Sequence, residues 1–281
     1  MLKPVKLGSL TVSKMILGGN PFSGFSHQGV ERDAEMLHFH TTGHIKETLW
    51  QAERAGILTH LSRGDHHVIR YLREYWDEGG TLQWICQTCP EVNTLDKVID
   101  NGIRNGAKAV FFHGGMMDAR VRDNVELEEL PRAVEKGRRA GLAVGVAGHL
   151  PATHRWAEQN LAVDFYMCSY YNPIYRAKTG EHVHGYEETY SPADREAMVE
   201  TIAGLSKPAI HYKVLAAGRH KPAEALAYVA QHLRPQDAVC VGICLKDNQG
   251  AIEENLRLLE AACRVARGVP ARMGATANDV P

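Results

Sequence analysis

Histidine supplies most of the chemistry this sequence offers, with fifteen in 281 residues. Two of them close apolar runs of strand length. His113 ends Ala107-Lys108-Ala109-Val110-Phe111-Phe112 and is followed by Gly114-Gly115, and His149 ends Val144-Gly145-Val146-Ala147-Gly148. An imidazole there can act near neutral pH as a donor, a base or a ligand. A buried histidine satisfied by its neighbours is the plainer alternative. Lys213 closes the run that starts at Pro208, and a lysine on such a run is costly to bury. That points to a Schiff base, a phosphate contact or a substrate carboxylate. Strand alternation opposes Tyr212 to His211 and Lys213: if the tyrosine faces inward its neighbours face outward, unless the strand has already ended.

Other groupings are less specific. His38, His40 and His44 have a spacing that could chelate a metal, but Ala34-Glu35-Met36-Leu37 just before them reads as helix. Cys86 and Cys89 form a single CxxC with no second pair, and six cysteines without a dense framework fit reduced thiols. His113, His149 and Lys213 are therefore the expected catalytic residues. The metal ligands, if a divalent metal takes part, are unknown.

Elements must place these groups, and the chain repeats one pattern. Short apolar or β-branched runs alternate with longer stretches of helical spacing. Strands are expected at 14–21, 57–62, 82–88, 107–113, 142–149, 163–169, 209–214 and 239–245. Helices follow at about 46–55, 66–78, 95–105, 126–140, 153–161, 193–205, 222–233 and 250–264. Eight such pairs predict an α/β fold, a (β/α)8 TIM barrel, with an open doubly wound sheet as the alternative. Ser191-Pro192 supplies a helix cap with proline in the first turn, and Gly141 follows the basic last turn of the fourth helix. Residues 1–267 are expected to be one barrel domain and 268–281 a flexible tail. Long connections at about 22–42 and 172–190 leave the C-terminal strand ends, where barrel enzymes keep their sites. The residues expected there are Asn20, Asp65, Cys86 or Thr88, His113, His149, Cys168, Tyr171, His211 or Lys213, and Lys246 with Asp247.

Composition narrows the partners. Lys and Arg total 32 against 33 for Asp and Glu, so no net field recommends nucleic acid or an anionic membrane. Apolar stretches reach about ten residues, short of the roughly 20 that span a bilayer. A small-molecule substrate and a cytoplasmic location are expected; the oligomeric state is unknown.

Leu7-Gly8, Val12-Ser13 and Leu17-Gly18-Gly19 resemble the opening of aldo/keto reductases. Gly56-Ile57, Phe111-Phe112-His113, Tyr171-Asn172, Leu215-Ala216-Ala217-Gly218 and Ile252-Glu253-Glu254-Asn255-Leu256 extend the likeness, in order, over nearly the whole chain. The resemblance implies the barrel and NADPH-dependent reduction of a small carbonyl or sugar-like metabolite. It also implies that His113 orients the carbonyl and that Tyr212 stacks on the nicotinamide. Asn20, Lys246 and Asn248 would contact the cofactor, the last two before a helix N-terminus suited to phosphate. Three of the family's four catalytic groups lack a counterpart: Leu61 stands at the expected Asp, no Tyr is nearby, and Trp84-Ile85-Cys86-Gln87-Thr88 replaces the Lys strand. A metal- or acid–base-dependent lyase, isomerase or hydrolase without nicotinamide is the alternative, and a non-catalytic metabolite-binding barrel a further one.

Overall fold

The structure is a computed structural model that describes residues 2–91, 93–172 and 189–268. Two short strands, β1 (Val5–Leu7) and β2 (Leu10–Val12), form an antiparallel hairpin. Among the described residues eight parallel strands then close into a barrel: β3 (Met15–Gly18), β4 (Thr59–Arg63), β5 (Gln83–Gln87), β6 (Ala109–Phe112), β7 (Ala143–Gly148), β8 (Phe165–Ser169), β9 (Ala209–Tyr212) and β10 (Ala238–Gly242). They lie in chain order, and β10 pairs with β3 to shut the ring, Cys240 opposite Ile16. Helices connect them: α1 (Val30–Phe39) and α2 (Thr42–Arg54) after β3, α3 (His66–Asp77), α4 (Leu95–Arg104), α5 (Gly114–Asp123) and α6 (Glu129–Arg139) after β6, α7 (Pro151–Asn160), α8 (Pro192–Gly204), α9 (Pro222–His232) and α10 (Ala251–Ala266). The expected (β/α)8 barrel is present.

Strand alternation sorts the core into two bodies. Ile16, Leu61, Ile85, Phe111, Phe165, Met167 and Ile210 point inward, where the hairpin residues Leu7 and Val12 join them as a plug. Leu17, Trp84, Val110, Phe112, Val144 and Val146 point outward against the helices. Burying each such side chain is worth about 1.5–3 kcal/mol. A small residue makes room in the interior: a Cβ on Gly145 would stand 2.4 Å from the Phe165 ring.

The expected helices are found within a few residues of their predicted ends. Ser191 caps α8, accepting from Ala193 N, with Pro192 in the first turn. Asp65, expected at the site, instead caps α3, its Oδ1 accepting from Val68 N at 3.0 Å. Two features go beyond the sequence reading, the hairpin and α5, while α1 extends the stretch 34–37 that reads as helix inside the connection at 22–42. Most of the 172–190 connection and the tail after residue 268 lie outside the described residues.

Candidate active site

A cavity of about 380 Å³ opens at the C-terminal ends of the barrel strands, a size within the range of about 300–1,000 Å³ common for small-molecule sites. Leu61, Phe111, Ala147, Met167 and Cys240 make its apolar floor. Two residues further along their strands the same inward face turns polar. Arg63 follows Leu61, Gln87 follows Ile85, His113 follows Phe111, His149 follows Ala147 and Tyr212 follows Ile210, and all five line the cavity. The period of two that fills the barrel with apolar side chains thus also sets the chemistry above it.

Within this ring, Tyr212, His149 and Asp118 form a hydrogen-bonded chain. His149 Nδ1 lies 2.8 Å from Asp118 Oδ2, and Tyr212 Oη lies 3.3 Å from His149 Nε2. A carboxylate only accepts, so His149 donates from Nδ1; in the neutral ring Nε2 then accepts from the phenol. Asp118 is fully buried on α5 and also accepts from His149 N at 3.1 Å and Thr153 Oγ1 at 2.7 Å. Its oxygens are saturated, so it acts on position and tautomer rather than on substrate. Gly114 makes the packing possible: a Cβ there would lie 2.9 Å from His149 Cε1 and 3.2 Å from Tyr212 Oη.

His113 caps α5. Its Nδ1 accepts from Met116 N at 3.4 Å, which puts the hydrogen of the neutral ring on Nε2. Arg63 is anchored by Asp65, Nε to Oδ2 at 2.9 Å, and by Glu91. Lys213 reaches the cavity because β9 ends at Tyr212; the lysine then takes a left-handed backbone, φ 58°, which breaks the alternation. Its Nζ lies 2.9 Å from His27 Nε2, on the connection after β3.

The remaining expected positions divide. Asn20, in a 3-10 turn after β3, and Asn248 line the cavity, as does Asp247. Asn248 Nδ2 donates to Glu254 at 2.7 Å, and Lys246 is ion-paired with Glu35. Cys86, Thr88, Cys168 and His211 do not face the cavity. Cys86, Cys168 and His211 sit on the outward register of their strands, Thr88 lies just past β5 with its Oγ1 accepting from His113 N at 2.9 Å, and burial pushes the Cys86 and Cys168 thiols well up. His211 is hydrogen-bonded to Tyr170 and Asp237 instead. Tyr171 is buried against Tyr190. Arg63, Gln87, His27 and Asp118 were not anticipated. Inward alternation from Leu61 and Ile85 would have found the first two.

Several histidines are structural. His60, bonded to Leu17 O and Tyr71 Oη, is held neutral by burial, its pKa lowered to about 3, and buried His154 is lowered to about 4. His40 is buried with Nδ1 on Met36 O, and His44 stacks on Phe39. Among the described residues no three His, Cys, Asp or Glu side chains gather as a metal-ligand set.

The dinucleotide that the resemblance implies does not fit the residues present. The first turn of α10, expected to take a phosphate, carries Glu253 and Glu254. Lys246 and Arg32 beside it are paired with Glu35 and Asp247. Carboxylates already meet the helix N-terminus that would draw an anion.

No protein-family model matches the chain, and no curated protein matches it in sequence. Solved structures share its fold. A Pseudomonas aeruginosa protein provisionally assigned as an aldo-keto reductase superposes with a TM-score of 0.61 at 16% identity, over 92% of this chain and 95% of that one. Gox0644 in its apo form gives 0.58 at 11%, over 100% and 99%. A truncated 3-deoxy-D-arabino-heptulosonate 7-phosphate synthase from Thermotoga maritima gives 0.54 at 11%, over 95% and 93%. At these identities the likeness establishes the barrel, which hosts many chemistries. No helix among the described residues is long and apolar enough to cross a membrane.

Proposed function

We propose that the chain is an enzyme that moves protons on a small carbonyl- or hydroxyl-bearing metabolite, in an isomerase- or lyase-type reaction. The observation that carries this is the Tyr212–His149–Asp118 chain opening on a cavity with a polar rim. A carbonyl oxygen seated against the Tyr212 hydroxyl is polarised, which acidifies the neighbouring C–H. The phenol gives its proton to the oxygen while the Nε2 lone pair of His149, freed by that transfer, takes the one from carbon, and the imidazolium held by Asp118 then returns it to the phenolate. His113, at the end of the strand beside that of His149, is the second proton carrier, and Arg63, Gln87 and Lys213 orient the substrate. Atoms balance as an enediol, which returns a proton to either carbon.

The test incubates the full chain with a panel of hydroxyketones and aldoses in D₂O and follows deuterium entering beside the carbonyl by NMR. Exchange is expected with at least one, and Tyr212→Phe or His149→Gln should slow it by about 10²–10⁴. Exchange unaffected by both substitutions would remove the assignment.

A further inference from the structure

The connection after β3 does not lie loose over the cavity. Phe25 packs under the Arg63 guanidinium, 5.0 Å from carbon to ring centroid. His27 meets Lys213, and its carbonyl accepts from Arg219 at 3.0 Å. Gln28 Nε2 donates to Ala217 O at 2.6 Å. On α1, Arg32 pairs with Asp247, and Glu35 pairs with both Arg32 and Lys246. The segment is also tied to itself, since Asp33 Oδ1 accepts from Ser26 N at 2.8 Å. Residues 25–35 thus bridge the end of β4 and the loops that follow β9 and β10. Phe25, Ser26, His27, Gln28 and Met36 line the cavity.

These contacts use one group expected to hold a dinucleotide, Lys246, and cover the segments next to it, while Asn20, Tyr212 and Asn248 still line the cavity. Lys246 is taken by Glu35, the turn after β9 by Gln28, and the approach to α10 by Arg32 on Asp247. We infer that residues 25–39 are a latched wall standing where the resemblance would place a nicotinamide cofactor, so that the site encloses one small substrate and works without a nucleotide. The inference goes beyond the proton-transfer reading and rests on different contacts. Isolated surface ion pairs contribute little, but Glu35 joins two cations, and the pairs add to the hydrogen bonds on the loop after β9 and to the Phe25–Arg63 contact.

Two measurements on the full chain test it. NADPH and NADH are titrated to roughly 1 mM while nucleotide fluorescence is followed, and amide hydrogen exchange is compared between the wild type and an Arg32→Ala, Lys246→Ala variant. No saturable nucleotide signal is expected, and amides 25–39 of the variant should exchange at least about tenfold faster. Glu35→Gln, which weakens both pairs through one isosteric change, gives the same readout if the double variant fails to fold. Saturation at micromolar nucleotide overturns the inference whatever the deuterium experiment shows, and so does unchanged protection of 25–39 in folded variants. Absent deuterium exchange without nucleotide binding defeats the proposed function and leaves this inference standing.

Discussion

Lys213 and His27 meet at 2.9 Å, Nζ to Nε2, and each holds a left-handed backbone with φ 58°. Such a conformation costs a non-glycine residue about 1 kcal/mol or more. Ala216 and Ala217 follow in the same region, φ 49° and 53°, so strain gathers in one turn beside the proposed proton donor. If the strain is kept to present the ammonium, Lys213→Gly should unfold at the wild-type temperature or slightly above it. Its deuterium exchange should fall at least tenfold, a barrier change of about 1.4 kcal/mol. A variant that loses stability and keeps its exchange rate would assign Lys213 to packing.

Asp118 offers a sharper separation of roles. Asp118→Asn places an amide NH₂ among donors that now point at a carboxylate: His149 N, His149 Nδ1 and Thr153 Oγ1. A buried mispairing of this kind costs about 1–3 kcal/mol, and the tautomer of His149 is no longer fixed. Exchange should fall about 100-fold or more, with a lower unfolding midpoint. Thr153→Val removes one bond to the same carboxylate and should cost about 1 kcal/mol of stability while leaving exchange within a few-fold of wild type. Equal catalytic loss in both variants would show that the network supports only the fold.

The reason Asp118 escaped the sequence reading is local. Helix α5 begins Gly114-Gly115-Met116-Met117 and lacks the apolar periodicity that marked the other helices, so the stretch after His113 read as part of a connection. The hairpin was missed for a related reason, its strands being only three residues long. By contrast the eight barrel strands were legible: most carry a near-continuous apolar run buried on both faces, and β4, which reads Thr-His-Leu-Ser-Arg, follows the apolar pair Ile57-Leu58. On the strands the site was legible in part, with β5 displaced by one residue of register. Cys86 and Thr88 were expected where Gln87 stands, and a slip of one position sends a side chain to the other face. His113 and His149 were found because the inward alternation continues unbroken from Phe111 and Ala147. Lys213 could be placed only by structure, since its left-handed turn ends the strand.

Gly114 tests the geometry of the pair directly. An alanine Cβ at this position would lie 2.9 Å from His149 Cε1, closer than a carbon atom tolerates, and would press on Tyr212 Oη at 3.2 Å. The ring or the phenol must then move, and their 3.3 Å contact is lost. Alanine otherwise suits a helical position better than glycine, by up to about 1 kcal/mol. Gly114→Ala should therefore keep its helical circular dichroism and lose exchange activity by at least tenfold, a barrier change of about 1.4 kcal/mol. Full activity would mean that Tyr212 and His149 act independently.

The buried histidines set the acid limit of the fold. Burial lowers His60 to about 3 and His154 to about 4. Burial also lowers His211, although Asp237 opposes it. Each binds its proton more weakly in the folded chain than in the unfolded one, where an exposed imidazole titrates near 6.5. Above that value neither state is protonated and stability is unaffected. As pH falls below it the unfolded chain takes up protons that the fold refuses. Stability then drops by about 1.4 kcal/mol per pH unit for each histidine, until the folded groups titrate near 4 and 3. Asp237 acts lower down: burial raises its carboxyl, but His211 and Arg234 outweigh this and hold it below the ordinary 3.8, so its contribution is lost only under that value. Against a total of about 5–15 kcal/mol, two or three histidines suffice to bring acid unfolding to around pH 4–5. Urea midpoints should be level from pH 8 to 7 and decline between 6 and 5, and His60→Gln should flatten the decline by about one proton's share. Midpoints that stay level down to pH 5 would show that these imidazoles accept protons without unfolding the barrel.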